Sequence, residues 1–262
     1  MRTLRCDYLV VGGGAAGAVL AARLSEDPRC RVILVEAGAD VLHPAPPEDV
    51  RDLFPLATFN PAYTWRDLRV HWRTRASSPA VPFQQARVMG GGSTIMGMWA
   101  LRGVPEDYDG WAAAGARGWS WEDVLPTFRA IEADTDFGGP LHGREGPIPI
   151  RRQPREDWSP LALAAEAALR ERGVADVADM NGAFEDGHCV LPISRTAEAR
   201  AGAGLCYLTD EVRRRSNLAI LPLTTAERLN VEAGRVNGIL ARDGGGVLAV
   251  EAGHTVVTAG AI

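Results

Sequence analysis

Two short apolar runs near the N-terminus, joined by a stretch of small residues, open the chain. The runs occupy residues 6–11 and 31–36, and the stretch from Ala15 to Ser25 follows a glycine-rich turn. Apolar runs of this length predict buried strands, and the small residues predict a helix packed closely on them. Strand, helix and strand within about 30 residues form a βαβ unit, whose two strands are parallel.

Proline and glycine break the pattern in the middle of the chain. Seven prolines between residues 42 and 85 exclude long helices and predict extended chain that wraps over a surface. Three later helices are predicted from their cap residues and apolar spacing: 120–134 with Ser120 as N-cap, 160–172 with Ser159 as N-cap and Pro160 at its first position, and 205–215. A Gly/Pro loop is predicted for 138–150.

Short alternating runs dominate the last part of the chain and predict strands. They lie at 217–223, 228–232, 235–242, 247–251 and 254–258. Turn signals at Ala233-Gly234 and Asp243-Gly244 separate several of them and predict a β-meander. The sequence ends directly after the final predicted strand, so we expect further chain to belong to this domain.

The first glycine-rich turn has the pattern Gly12-x-Gly14-x-x-Gly17 between the first strand and the helix. In such a turn the first glycine makes the tight bend, the second lets backbone approach a pyrophosphate, and the third allows close helix–strand packing. Glu36 ends the second strand, 24 residues after Gly12, where a carboxylate can bind ribose hydroxyls. This unit predicts a dinucleotide site and disfavours NADP, but it leaves NAD and FAD open.

A second glycine cluster, Gly90-Gly91-Gly92, follows Arg87 and precedes Ser93. Its free backbone amides, beside a guanidinium and a hydroxyl, can hold an anion or approach a flat ring closely. A plain NAD domain has no need of a second loop of this kind. The cluster therefore favours FAD, although a tight structural turn between layers would give the same pattern.

Composition narrows the partners and the compartment. The net charge is −5 and no basic stripe is present, so no nucleic-acid partner is expected. No segment stays apolar for about 18 residues, so no transmembrane helix is expected. The four cysteines have neither zinc nor redox spacing, which predicts reduced thiols, no metal site and a cytoplasmic location.

Ten short motifs are spread along the whole chain: Asp7 to Ser25, Val35 to Gly38, Arg87 to Met98, Arg102-Gly103, Asp107 to Trp111, Gly118 to Trp121, Val124 to Pro126, His142-Gly143, Gly146-Pro147 and Val256 to Ala261. In these motifs and in their order, the sequence resembles the glucose–methanol–choline (GMC) oxidoreductases. Pro140 to Gly143 and Gly146 to Ile150 are most similar to the hydroxymethylfurfural and aryl-alcohol oxidase branch.

The resemblance implies an FAD-dependent enzyme that transfers hydride from a small-molecule alcohol to flavin N5. It implies these cofactor-binding residues: Gly12, Gly14, Ala15, Ala16, Gly17, Glu36, Ala37, Trp65, Arg87, Gly91, Gly92, Ser93, Ile95, Met96, Ala226, Ala259 and Gly260. Two of them depart from the family pattern. Met96 stands where the family usually has Asn, and Ile95 stands where some members carry a flavin-linking His.

No residue matches the family's active-site histidine motif, so no catalytic residue is assigned. The five histidines, at 43, 71, 142, 188 and 254, are predicted in loop, surface or strand positions. By resemblance, the C-terminal half that supplies the base and most of the substrate-domain sheet is absent from this sequence.

The expected architecture is α/β: a Rossmann-like FAD-binding βαβ domain with an added β-meander and the start of an α+β substrate domain. Residues 1–150 would form the FAD-binding domain with its covering loops, 151–215 the start of the substrate domain, and 216–262 the return to the first domain. Three functions stay open: an alcohol oxidoreductase seen as its N-terminal portion, a silent flavin-binding remnant or half that needs a complementing C-terminal polypeptide, and an NAD-dependent dehydrogenase.

Overall fold

The computed structural model describes residues 2–260, which fall into two compact units. The first unit combines the part of the chain up to Gly97 with the part from Gly202 onward, and the second is Met98–Ala201. Ala261 and Ile262, at the end of the last family motif, lie outside the described residues. The domain boundaries at 150 and 215 stay predictions.

Eight α-helices and eleven strands are formed by residues 2–260. The α-helices are α1 (Ala15–Leu24), α2 (Glu48–Arg51), α3 (Gly92–Ile95), α4 (Pro105–Ala113), α5 (Trp121–Ile131), α6 (Pro160–Glu171), α7 (Ala203–Tyr207) and α8 (Asp210–Arg213). The strands are β1 (Arg2–Val11), β2 (Val32–Val35), β3 (Arg69–His71), β4 (Ala80–Pro82), β5 (Glu132–Asp134), β6 (Ile148–Arg151), β7 (Ile193–Ser194), β8 (Leu218–Leu221), β9 (Thr225–Glu232), β10 (Arg235–Asp243) and β11 (Gly246–Val257).

A six-stranded sheet with the order β8-β2-β1-β11-β10-β9 forms the centre of the first unit. The four strands β8, β2, β1 and β11 are parallel, and β11, β10 and β9 continue as an antiparallel meander. The βαβ unit and the α/β class predicted from the sequence are therefore confirmed.

Small residues let α1 lie close to this sheet. Gly17, Ala18, Ala21 and Ala22 are the buried residues of the helix. A Cβ at Gly17 would lie 1.9 Å from the carbonyl oxygen of Gly12, so no larger residue fits. A core of aliphatic side chains from β1, β2, β10 and β11 includes the fully buried Leu9 and Leu248.

Two predictions in the first unit are wrong in detail. The runs 247–251 and 254–258 are one continuous strand, β11, because β1 pairs with it from Leu248 to Val257. The predicted helix 205–215 is divided into α7 and α8, because Thr209 interrupts it as the N-cap of α8 and accepts a hydrogen bond from the amide of Val212. Between residues 42 and 85 the structure has only short helical turns and the β3–β4 hairpin, as expected.

In the second unit the helix starts are correct and one helix end is wrong. Ser120 caps α5 in a capping box with Asp123, and Ser159 caps α6 with Pro160 at its first position. Helix α5 ends at Ile131 rather than at 134, because residues 132–134 form β5 beside β6. Strand β6 also occupies the end of the predicted 138–150 loop, and α4 was not predicted.

None of the helices formed by residues 2–260 combines the length and the apolar character needed to cross a bilayer.

Candidate functional site

A cleft of about 460 Å³ opens in the first unit where the parallel strands β1 and β11 end. In open α/β sheets, ligands bind at the carboxyl ends of the strands. The residues that line the cleft are Gly12, Gly14, Ala15, Ala16, Glu36, Phe83, Gln84, Gln85, Ala86, Val88, Gly91, Gly92, Met96, Thr258, Ala259 and Gly260.

The first glycine turn brings bare backbone to this cleft. Gly12 has φ +103°, and a Cβ there would lie 2.7 Å from Ala259 Cα, so the turn requires glycine. Gly14 is the N-cap of α1, and a Cβ on it would have no protein atom nearer than 4.0 Å. The free amides at the start of α1 therefore border open space, which is the arrangement that binds anions.

Glu36 is held rigidly beside the turn. Its two carboxylate oxygens accept hydrogen bonds from the amides of Gly13, at 2.8 Å, and Gly38, at 2.7 Å. Burial raises the pKa of Glu36 above its ordinary value, against the lowering effect of these two hydrogen bonds. Each oxygen keeps a further lone pair, so the carboxyl group can still accept from ribose hydroxyls in the cleft.

The second glycine cluster lies directly against the first. The amide of Gly90 donates to the carbonyl of Gly13 at 2.7 Å, and a Cβ at Gly91 would lie 2.8 Å from Gly14 Cα. Gly90 and Gly91 both have positive φ, at 83° and 55°, which side chains rarely adopt. The two loops therefore form one continuous backbone surface at the cleft.

A second cavity, of about 430 Å³, lies beside Trp65 and Arg87 in the same unit. The Arg87 guanidinium stacks 4.7 Å from the centre of the Trp65 ring. The Nε atom of Arg87 is buried without a hydrogen-bond partner, although the charge of this residue acts on Glu36. This pair lines the second cavity and is not among the residues that line the first.

His142 lies outside the helices and strands, as expected, and its ring is buried in an ion network of the second unit. Its Nδ1 is 3.1 Å from Glu132 Oε1 and its Nε2 is 2.7 Å from Asp179 Oδ2. Hydrogen bonds to Asp134, Glu132 and Asp179 raise its pKa to about 10, although burial opposes this rise. A ring that donates from both nitrogens is an imidazolium and has no lone pair to act as a base.

In the same network, Glu132, Asp134 and His142 each offer one potential metal-ligand atom, and these atoms lie within 4.8 Å of one another. A metal ion could be bound at this spacing. The guanidinium of Arg152 donates to both oxygens of Asp134 and to Asp179. Positive side chains thus already face these carboxylates, which makes the network an internal ion cluster of the second unit.

Comparison with known proteins identifies the family. The family model described as "GMC oxidoreductase" matches residues 6–262. The chain belongs to the GMC oxidoreductase family. It is 38% identical to 5-(hydroxymethyl)furfural oxidase of Methylovorus sp. (strain MP688), across 98% of this chain and 50% of that protein. The chain spans about half the length of this and similar curated relatives.

Solved structures show the same fold. The crystal structure of pyridoxine 4-oxidase from Mesorbium loti has 33% sequence identity and a TM-score of 0.84, over 98% of this chain and 50% of that one. An FAD-dependent oxidoreductase from Chaetomium thermophilum has 28% identity and a TM-score of 0.85, over 97% of this chain and 45% of that one. GMC oxidoreductases generally bind FAD, and their members are oxidases and dehydrogenases.

Most of the predicted cofactor residues meet at the cleft of this GMC chain. Ten of the seventeen line it: Gly12, Gly14, Ala15, Ala16, Glu36, Gly91, Gly92, Met96, Ala259 and Gly260. The others are not part of its lining: Gly17, Ala37, Trp65, Arg87, Ser93, Ile95 and Ala226. Their roles, like those of the lining residues, stay predictions.

Three of the non-lining residues have evident structural contacts. Ile95, the last residue of α3, is fully buried, and Ser93 donates its hydroxyl hydrogen to the carbonyl of Gly90 at 2.7 Å. Ala226 packs against the core of the sheet.

Sequence reasoning missed one wall of the cleft. Residues 83–86 line it although they carry no glycine pattern or charge that would single them out. Gln85 lies close to Gly260: a Cβ added at Gly260 would be 2.6 Å from the side-chain amide nitrogen of Gln85. The only available signal was their position immediately before Arg87.

Proposed function

We propose that this chain is the FAD-binding portion of a GMC enzyme that oxidises the CH–OH group of a small-molecule alcohol. The observation that supports the proposal best is the pair of glycine loops facing each other beside Glu36. Side chains at Gly12 or Gly91 would clash with backbone, whereas the space above Gly14 is open. A backbone surface of this shape, with free amides at a helix start, suits the pyrophosphate of a dinucleotide.

The residues of the chain would have separate tasks in binding FAD. The amides at the start of α1 would donate to the pyrophosphate, and Glu36 would accept from the ribose of the adenosine end. Gly91 and Gly92, with Met96, would lie along the part of FAD that leads to the flavin. FAD would supply the hydride acceptor, flavin N5, and the protein's contribution to that step would be to orient the ring and exclude water.

The base that removes the hydroxyl proton is proposed to come from a complementing C-terminal polypeptide. Within residues 2–260 no histidine lines the cleft, and His142 is an imidazolium in the second unit. A positioned general base contributes roughly 10²–10⁴-fold to a rate.

The alternative function is a silent flavin-binding remnant. For either function we propose a cytoplasmic protein with no nucleic-acid partner, in line with the spacing of its four cysteines and with its net charge.

The cofactor part of the proposal is tested with Gly14→Val. The protein has room for a Cβ at this position, so we expect the fold to persist while the side chain blocks the pyrophosphate, and the Kd for FAD should rise roughly tenfold or more. Gly110→Val is the matched control, because Gly110 also has no atom within 4 Å of a new Cβ and lies in the second unit. FAD retention is measured by absorbance after gel filtration. Unchanged retention in Gly14→Val would contradict the placement.

The catalytic part is tested by anaerobic mixing of the FAD-loaded chain with aryl and aliphatic alcohols. We expect no bleaching of the flavin absorbance with the chain alone, and bleaching after a C-terminal half from a GMC relative is added. Rapid bleaching by the chain alone would show that the base lies within it. A chain that binds FAD but stays unreduced with every complementing half would favour the silent remnant.

A further inference from the structure

We propose that Met96 is a peroxide-sensitive site whose oxidation lowers the affinity of the cleft for FAD, an inference that rests on the proposed function. Met96 directly follows α3, and its amide bonds to the carbonyl of Gly92 at 2.9 Å. Its backbone there is extended, with φ −85° and ψ −170°. Ile95 is fully buried, whereas Met96 lines the cleft and is 38% exposed.

The other methionines provide internal comparisons. Met89 is 0% exposed and Met98 is 8% exposed, so both are protected. Met180 is 43% exposed, slightly more than Met96, but it lies in the second unit and lines none of the described cavities of that unit. Within residues 2–260 only Met96 and Met180 are therefore open to a dissolved oxidant, and Met96 alone lies in the cleft.

The chemical step needs only hydrogen peroxide. A lone pair of the thioether sulfur attacks one peroxide oxygen, and the O–O bond breaks. The hydrogen on the transferred oxygen then moves as a proton to the departing hydroxide. The products are a sulfoxide and water, so sulfur loses two electrons and peroxide gains them. If oxygen is the electron acceptor of the proposed enzyme, two-electron reduction yields this oxidant beside Met96.

The sulfoxide changes the chemistry of the cleft wall. It replaces a flexible apolar side chain with a strongly polar acceptor. That oxygen would lie along the surface assigned to FAD and would lose its hydration when FAD binds. We expect the Kd for FAD to rise roughly 5- to 100-fold, in proportion to the cost of an unpaired polar group.

Peroxide treatment in the presence and absence of FAD tests the first half of the inference. Sulfoxide at each methionine is followed by mass spectrometry of peptides. Met96 and Met180 should oxidise in the free chain while Met89 resists, and saturating FAD should protect Met96 but leave Met180 unchanged. Equal oxidation of Met96 with and without bound FAD would overturn the proposal.

Variants test the second half. For each protein the Kd for FAD is compared before and after peroxide, so each variant is its own reference. The ratio of the Kd after peroxide to the Kd before it should exceed one in the unmodified chain and in Met180→Leu, and should be one in Met96→Leu. A ratio that rises equally in Met96→Leu would show that another residue is responsible. Absence of FAD binding by the untreated chain would instead contradict the proposed function, so the two failures are distinguishable.

Discussion

Replacing His142 should destabilise the second unit, because its ring is buried among three carboxylates. His142→Gln keeps two polar atoms but removes the positive charge that faces Glu132, Asp134 and Asp179. Only the guanidinium groups of Arg152 and Arg102 would then remain opposite these carboxylates. Removing one partner of a buried ion pair typically costs about 3–5 kcal/mol. The rise of the His142 pKa from 6.5 to about 10 corresponds to the same order of free energy.

The sign of the pH dependence follows from the raised pKa. An unfolded chain releases the His142 proton near pH 6.5, whereas the folded chain keeps it until about pH 10. The contribution of His142 to the free energy of unfolding is therefore complete below pH 6.5 and declines as the pH rises toward 10. Between pH 6.5 and 8.5 the unmodified protein should lose roughly 2–3 kcal/mol from this group.

Urea unfolding at pH 6.5 and pH 8.5, followed by tryptophan fluorescence, measures this loss in the free energy of unfolding. Five of the seven tryptophans report on the second unit: Trp99, Trp111, Trp119, Trp121 and Trp158. The upper pH is kept below the range in which Cys6 and Cys206 titrate, since burial raises the pKa of each to about 11. His43→Gln is the control, because His43 is exposed and lies in the first unit. The reasoning would be refuted if the His142→Gln protein had the same free energy of unfolding, and the same dependence of it on pH, as the unmodified protein.

Three further outcomes are expected. Gly17→Ala should destabilise the first unit by at least about 1–3 kcal/mol in urea, because its Cβ would overlap the Gly12 carbonyl, and a neutral effect would contradict the packing of α1. Ser120→Ala should cost about 1 kcal/mol by removing the cap of α5, which thermal unfolding by circular dichroism would show; an unchanged midpoint would mean that the cap is idle. Acid precipitation should release bound flavin into the supernatant, since Ile95 is buried and has no nucleophile, and flavin in the pellet would disprove this.

The elements that the sequence predicted well are those fixed by local chemistry. Ser120 and Ser159 mark helix starts because their side chains satisfy amides only a few residues away. The βαβ unit was recognisable because two of its glycines meet local constraints: Gly12 has a positive φ, and a Cβ at Gly17 would overlap the carbonyl of Gly12. These signals need no knowledge of distant residues.

The errors arose where distant pairing decides the outcome. The end of α5 is set by β6, which takes residues 132–134 into a strand. The continuity of β11 depends on β1, at the other end of the chain, which pairs across Gly253 to both of its halves. No sign of the ion network of His142 was present in the sequence either, because its partner Asp179 lies 37 positions away and no local pattern links the two. Propensity and spacing carry no information about such partners.

The contact between the two glycine loops explains why neither motif is sufficient to define the site. Gly91 approaches Gly14 so closely that a side chain on the second loop would displace the first. The amide of Gly90 also fixes the carbonyl of Gly13, whose own amide holds Glu36. The orientation of the Glu36 carboxylate thus depends on both loops at once. A substitution at Gly91 should therefore impair binding at the adenosine end of FAD, although Gly91 is assigned to the pyrophosphate and flavin side.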